Sequence, residues 1–209
     1  MKAYIYTGGG VIKENITECP DTSALVISAD AGYLLARELG VTPHVAVGDF
    51  DTLGEYGFSP STEVIRLPAE KDVSDTQAAV DIALERGADE IIIIGGLDGR
   101  LDHTFANIGI VEEITKKGMP ALITDGHNRV RYLKNSSMLV ARGSFRYLSF
   151  FCLGKKAGGV TLKGVKYPLC NATLVRSDPS LSISNEIVEN CALVSVKHGE
   201  LYVIESNDK

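Results

Sequence analysis

Short apolar runs alternate with stretches of helical periodicity through the first 125 or so residues. Strands are expected at 3–7 (AYIYT), 24–28 (ALVIS), 44–47 (HVAV), 63–67 (EVIRL), 90–94 (EIIII) and 121–124 (ALIT). The clearest amphipathic segments between them are 74–87 (SDTQAAVDIALERG) and 102–118 (DHTFANIGIVEEITKKG). The first puts Ala79, Ile82 and Ala83 on one face, and both run into a glycine where a helix would be capped. Runs apolar enough for burial on both faces, alternating with helices, imply a mostly parallel sheet with helices on both faces.

After about residue 130 the periodicity changes. The runs SSMLVARG, RYLSFFCL, GGVTLKG, ATLVRS, ALVSVKHG and ELYVIE are short, often alternating, and separated by turn residues. They predict a small antiparallel β-domain, a sandwich or a barrel. The chain is thus expected to hold an α/β domain over 1–128 and a β-domain over 129–209. The segment 126–135 (GHNRVRYLKN) reads as the connection, and HGEL at 198–201 as a hairpin turn.

Composition narrows the possibilities. The 209 residues are 44% hydrophobic and 23% charged, with no low-complexity tract, as in an ordinary soluble globular protein. A formal charge of −6 argues against a nucleic-acid partner, which is held by neutralising phosphates with Lys and Arg. Small phosphates remain possible, through metal ions and backbone N–H groups. Four scattered cysteines (Cys19, Cys152, Cys170, Cys191) and four scattered histidines make no zinc pattern, and read as buried free thiols in a reducing compartment. No run approaches membrane-spanning length, and MKAYIYTGGG is too quickly interrupted for a signal peptide, so a cytoplasmic protein with no membrane partner is expected.

The polar chemistry follows the strands. GGG comes after the first, ADAG after the second, GDFDT after the third, PAEKDVSD after the fourth and GGLDGRLDH after the fifth. In an open α/β sheet these loops share the carboxyl edge, where ligands bind. In extended backbone Asp49 and Asp51 project together while Phe50 turns to the core. Such a pair repels unless a cation, typically Mg²⁺, sits between them. The same residues also fit a polar turn with Asp51 capping a helix. Asp72 and Asp75 open the next helix, where Ser74 and Gln77 make a capping box and acids suit the first turn. Capping alone and capping with metal ligation both stay open. In the fifth loop Gly95, Gly96 and Gly99 allow close backbone approach, Arg100 can grip phosphate, and the helix N-terminus that follows favours an anion. The loop is neither a Walker motif nor a dinucleotide fingerprint. His103 fits either catalysis or a structural hydrogen bond.

The stretches ADAGYLLARELGVTPHVAVGDFDT, EKDVSDTQAAVDIAL, IIIIGGLDGRLDHTFANI, VKYPL and SLSISNEI, in this order along nearly the whole chain, resemble the thiamine pyrophosphokinase family. The resemblance implies transfer of pyrophosphate from ATP to the hydroxyethyl arm of thiamine, giving thiamine diphosphate and AMP. It also implies an α/β nucleotide domain, a β-sandwich, and a homodimer with active sites between subunits. Carried over by motif, the metal-binding acids are Asp49, Asp51 and Asp75, with Asp72 close by. Arg100 and Asp102 fall on the arginine and acid of the glycine-rich loop, and Asp30 on the acid of ADGG; Gly95, Gly96 and His103 belong with them on the ATP side. Ser184 and Asn185 fall where the family holds the thiamine pyrimidine, and Tyr167 where a relative has a stacking tryptophan. Departures from the pattern are Ala31, Thr52, Ser74 and Ser182, and the chain has no tryptophan. Mg²⁺ is thereby the expected cofactor and ATP the co-substrate. A pyrophosphokinase for another small alcohol, such as a hydroxymethylpterin, and a non-catalytic nucleotide- or thiamine-binding regulator are the alternatives.

Overall fold

A computed structural model of the chain describes residues 1–50, 57–68 and 72–208. It divides into two units, Met1–Gly126 and His127–Lys209.

Among the described residues, the first unit is built on six parallel strands: β1 (Lys2–Tyr6), β2 (Leu25–Ala29), β3 (Val45–Gly48), β4 (Glu63–Arg66), β5 (Glu90–Ile94) and β6 (Ala121–Thr124). Their order in the sheet is β4-β3-β2-β1-β5-β6. The central strands are apolar at every position because both faces are covered: Ile91 to Ile94 of β5 are all buried, as are Ala3 to Tyr6 of β1. β4 is the exception. It lies at the sheet edge, where only Ile65 is half-buried and Glu63 reaches an ion pair with Arg86 at 2.7 Å. Among the described residues the unit also holds helices α1 (Gly32–Glu38), α2 (Asp75–Glu85) and α3 (Leu101–Lys116). α2 packs on β1, β2 and β3 through Ala79, Val80 and Ala83, and α3 lies against β6. The sequence had pointed to both of these helices, and each ends just before a glycine, Gly87 or Gly118.

The second unit holds seven antiparallel strands: β7 (Asn128–Lys134), β8 (Ser137–Ala141), β9 (Tyr147–Cys152), β10 (Lys156–Lys163), β11 (Leu169–Val175), β12 (Cys191–Ser195) and β13 (Glu200–Ser206). They form the orders β7-β13-β9 and β11-β10-β12-β8. Leu148, Phe150, Leu201 and Val203 from the first set meet Val140, Val160, Leu162 and Val194 from the second in one buried core. This is a β-sandwich, one of the two forms that alternation left open and the one that the resemblance implied.

Three expectations need correction. The segment 126–135 is not a bare connection, because most of it is β7, paired along its length with β13. Its strand pattern was masked by Arg129, which is buried because it meets the inward-facing Glu205. HGEL is not a hairpin either. β12 and β13 belong to different sheets, and residues 196–199 carry the chain between them, with Gly158 N–H donating to the His198 carbonyl at 2.7 Å. All four cysteines are free, but only Cys152 is buried; Cys19 and Cys170 are exposed.

Candidate active site

The chain runs from β1 outward through β2, β3 and β4, then returns to place β5 on the other side of β1. At such a reversal the loops leaving the two neighbouring strands part in opposite directions and open a crevice at their carboxyl ends. A cavity of about 440 Å³ lies there. Thr7, Gly8 and Gly9 line it from the end of β1, Asp30 from the end of β2, and Gly96, Asp98 and Arg100 from the loop after β5. The first turn of α2 adds Ser74, Asp75 and Thr76, and α3 adds His103 and Asn107. A wider hollow of about 660 Å³ beside α1, lined by Tyr33, Arg37 and Phe58 among others, has among the described residues no glycine-rich loop and none of the acids expected at a metal.

Close approach holds the cavity walls together. The Gly96 N–H donates to the Gly8 carbonyl at 3.0 Å, joining the loops after β5 and β1. The buried Asn107 amide donates to the Gly96 carbonyl at 3.0 Å, tying that loop to α3. Arg100 is the residue before α3, and its guanidinium donates to Asp102 through Nη2 at 2.5 Å and Nε at 3.1 Å. The Arg100 hydrogen bond, helped by the His103 backbone N–H, holds the Asp102 carboxyl down to about 2. Both side chains are exposed, so an incoming phosphate can compete with Asp102 for the guanidinium fork.

α2 opens on Ser74, whose hydroxyl accepts from the Gln77 N–H at 3.2 Å. Half of the predicted capping box is formed; the Gln77 side chain turns instead to Asp81 at 2.8 Å. Asp75 is thereby held at the first helical position, facing the cavity. Asp30 takes a left-handed backbone, φ +45°, which a short acidic side chain tolerates, and its N–H donates to the Val47 carbonyl at 2.8 Å. Ala31, the departure from ADGG, has φ −55° and needs no glycine.

The stretch after β3 differs from expectation. Phe50 does turn to the core, meeting the Phe58 ring edge-on with centroids 4.9 Å apart. Its backbone, however, is left-handed at φ +59°, so Phe50 itself is not in the extended conformation from which the expectation for Asp49 and Asp51 starts. Asp51, Thr52 and Lys71 lie outside the described residues. Of the expected ATP- and metal-side residues, the cavity brings together Asp30, Asp75, Gly96, Arg100 and His103. Among the described residues, Asp49, Gly95 and Asp102 are not on its lining, and Asp72 lines a separate groove between α2 and α3. No three acidic, histidine or cysteine side chains among the described residues converge as a ready-made metal cage.

Sequence reasoning passed over Thr7, Thr76, Asp98 and Asn107. Asp98 and Asn107 lie in or beside the glycine-rich motif and could have been singled out. The two threonines carry no local signal.

In the second unit Tyr167, Ser184 and Asn185 come together. The Asn185 side chain is buried and grips the Tyr167 peptide from both sides, accepting from its N–H at 3.0 Å and donating to its carbonyl at 2.8 Å. Its oxygen also accepts from the Glu186 N–H at 2.9 Å. The Tyr167 ring is exposed, with the Lys166 ammonium 5.5 Å from its centroid. Ser184 sits in a left-handed turn, φ +58°, anchored by its N–H to the Ser149 hydroxyl at 3.0 Å. This arrangement presents an aromatic face and a hydroxyl, with the asparagine as their support.

Comparison with known proteins agrees with both units. The family model of the thiamin pyrophosphokinase catalytic domain matches residues 17–123, and that of the thiamin pyrophosphokinase vitamin B1 binding domain matches 136–201. The thiamine pyrophosphokinase of Bacillus subtilis is 31% identical over 217 residues, covering 100% of each chain. A crystal structure of thiamine pyrophosphokinase from that organism superposes with a TM-score of 0.87 at 29% identity, again over 100% of both chains. A thiamin pyrophosphokinase family protein from Enterococcus faecalis gives 0.79 at 32% identity and the same full coverage.

Proposed function

The chain belongs to the thiamin pyrophosphokinase family, and from that premise we propose that the cavity at the β1–β5 reversal binds ATP and passes its terminal pyrophosphoryl group to thiamine. The hydroxyethyl oxygen of thiamine forms a bond to the β-phosphorus. The bond from that phosphorus to the oxygen bridging to the α-phosphorus breaks, AMP leaves with the electron pair, and the hydroxyl proton is lost. Little covalent work falls to the protein in such a transfer; positioning and charge stabilisation carry it.

The observation that carries this reading is the cavity itself, at the carboxyl ends of β1 and β5, with glycine backbone, an α-helix N-terminus, a guanidinium and carboxylates on one wall or another. The glycines admit phosphate oxygens against backbone N–H groups, and the start of α3 favours the anion. Arg100 exchanges Asp102 for a phosphate oxygen. Hard carboxylate oxygens such as those of Asp75 on the cavity wall suit a magnesium ion that keeps waters and shares substrate phosphates. Asp75, with Asp49 and Asp51 of the preceding acidic pair, would hold it. When bound, the ion neutralises charge on the polyphosphate and on the departing AMP. Tyr167 and Ser184 offer the aromatic and polar contacts for thiamine in the second unit.

The pterin alternative is not favoured, because residues 136–201 match a vitamin B1 binding domain. The acids of the first unit speak against a non-catalytic regulator. The same reading makes the protein a homodimer, which sedimentation velocity would test. It also makes it cytoplasmic; no helix among the described residues is long and apolar enough to cross a membrane.

The test is direct. Purified protein with ATP, Mg²⁺ and thiamine should release AMP and thiamine diphosphate in equal amounts. Asp75→Asn should remove at least about a hundredfold of the rate, the scale of one well-placed electrostatic contact, with an unchanged circular dichroism spectrum. Near-normal turnover in Asp75→Asn would refute the metal assignment.

A further inference from the structure

On the wall of the cavity, Thr7 sits where three elements converge. Its hydroxyl lies 3.0 Å from that of Thr76, and the pair is buried. The two residues are 69 positions apart, one just past β1 and the other in the first turn of α2, next to Asp75. Around Thr7 the chain has dispensed with side chains. A Cβ on Gly32 would stand 2.7 Å from the Thr7 Cα, one on Gly95 2.4 Å from the Thr7 carbonyl oxygen, and one on Gly96 2.7 Å from the Thr7 methyl. The Thr7 N–H donates to the Ile94 carbonyl at 2.9 Å. The start of α1, the loop after β5 and the start of α2 are thus all registered on one residue, with the hydroxyl pair as the polar link to α2.

We propose that the Thr7–Thr76 hydroxyl pair is a positioning latch that sets Asp75 and the first turn of α2 against the glycine loops, and that catalysis depends on it. The inference rests on the ATP and metal reading given above. The physical reason is one of precision. Apolar packing of α2 on the sheet fixes which face is buried but tolerates small slides along it, whereas a hydrogen bond between two short, stiff side chains defines a single setting. Misplacing a catalytic group by about 1 Å can cost as much as a hundredfold in rate.

Valine and serine substitutions separate this role from mere structural support. Thr7→Val or Thr76→Val alone leaves one buried hydroxyl without its partner and should lower the melting temperature. In Thr7→Val/Thr76→Val both partners become apolar groups of the same shape, so stability should return close to that of the native chain. Catalysis should not return with it: kcat should stay down by roughly tenfold, between the cost of one lost hydrogen bond and that of a 1 Å shift. The Mg²⁺ concentration for half-maximal rate should rise, while KM for thiamine should not change. Calorimetry with Mn²⁺ and α,β-methylene-ATP, which cannot transfer its pyrophosphoryl group, should show weaker metal–nucleotide binding in the same variant. Thr7→Ser and Thr76→Ser keep the hydroxyls and should stay within about twofold of the native rate. A double valine variant that recovers rate and metal binding together with stability overturns the latch, and so does a serine variant as impaired as its valine counterpart. A native protein with no thiamine-dependent AMP release would instead sink the functional reading itself.

Discussion

Gly95 and Gly99 stand four residues apart in the same loop, both with backbone that side chains rarely adopt, φ +93° and +94°. They differ in what surrounds them. A Cβ on Gly99 meets nothing within 4 Å, whereas one on Gly95 would lie 2.4 Å from the Thr7 carbonyl oxygen and 3.1 Å from a Leu35 methyl. Alanine at Gly99 therefore carries only the conformational cost, about 1–2 kcal/mol. Alanine at Gly95 carries that cost plus an overpacking term of about 1–3 kcal/mol, because the opposing atom is backbone and cannot swing aside. The expected totals are about 1–2 kcal/mol for Gly99→Ala and about 2–5 kcal/mol for Gly95→Ala. Urea unfolding followed by circular dichroism measures the difference, and calorimetric titration with α,β-methylene-ATP measures its consequence for the cavity. Gly95→Ala should lose nucleotide binding more severely than stability alone explains, since the strand end that must shift carries Thr7. If Gly95→Ala is no less stable than Gly99→Ala and binds nucleotide equally well, the close-approach reasoning is wrong.

Other predictions come from the charged and polar contacts. Asp102 is held down to about 2 by Arg100, so its contribution to folding is complete above the ordinary carboxyl value of 3.8 and is lost as pH falls toward 2. A pH series of melting temperatures for the native protein and Arg100→Ala should accordingly converge over that acid window and separate above it. Glu205 is 2% exposed at an inward position of β13, with its carboxylate on Arg129 and Arg131. Glu205→Ala strands buried positive charge and should cost about 3–5 kcal/mol by denaturant titration; a loss below about 1 kcal/mol would contradict the burial argument. Asn185→Ala releases two hydrogen bonds on the Tyr167 peptide and should raise KM for thiamine by roughly tenfold, leaving KM for ATP as it was. An unchanged thiamine KM would remove Tyr167 from the substrate site.

Much of the first unit was legible from hydrophobicity alone. Ile91 to Ile94 could only be a strand covered on both sides, and the apolar face of α2 was marked by Ala79 and Ala83. The second unit was legible where alternation was clean, as in β13, where Leu201 and Val203 face inward. It failed at β7, because a buried arginine looks like a surface residue until its partner is known, and Glu205 is 76 positions from Arg129. It also failed at HGEL, where turn composition cannot distinguish a hairpin from a passage between sheets.

By itself, then, the amino-acid order determined the period of each segment, the placement of acids and glycines after strands, and the family to which those motifs belong, since all of these are local. The tertiary structure alone decided which loops share a cavity, because strand order brings β1 beside β5. It alone put Phe50 in a left-handed turn, gave the Asn185 amide to Tyr167, and set the hydroxyl of Thr7 against that of Thr76. Those outcomes arise from close packing between elements remote in the chain, where a missing Cβ or one buried hydroxyl matters and no local pattern records it.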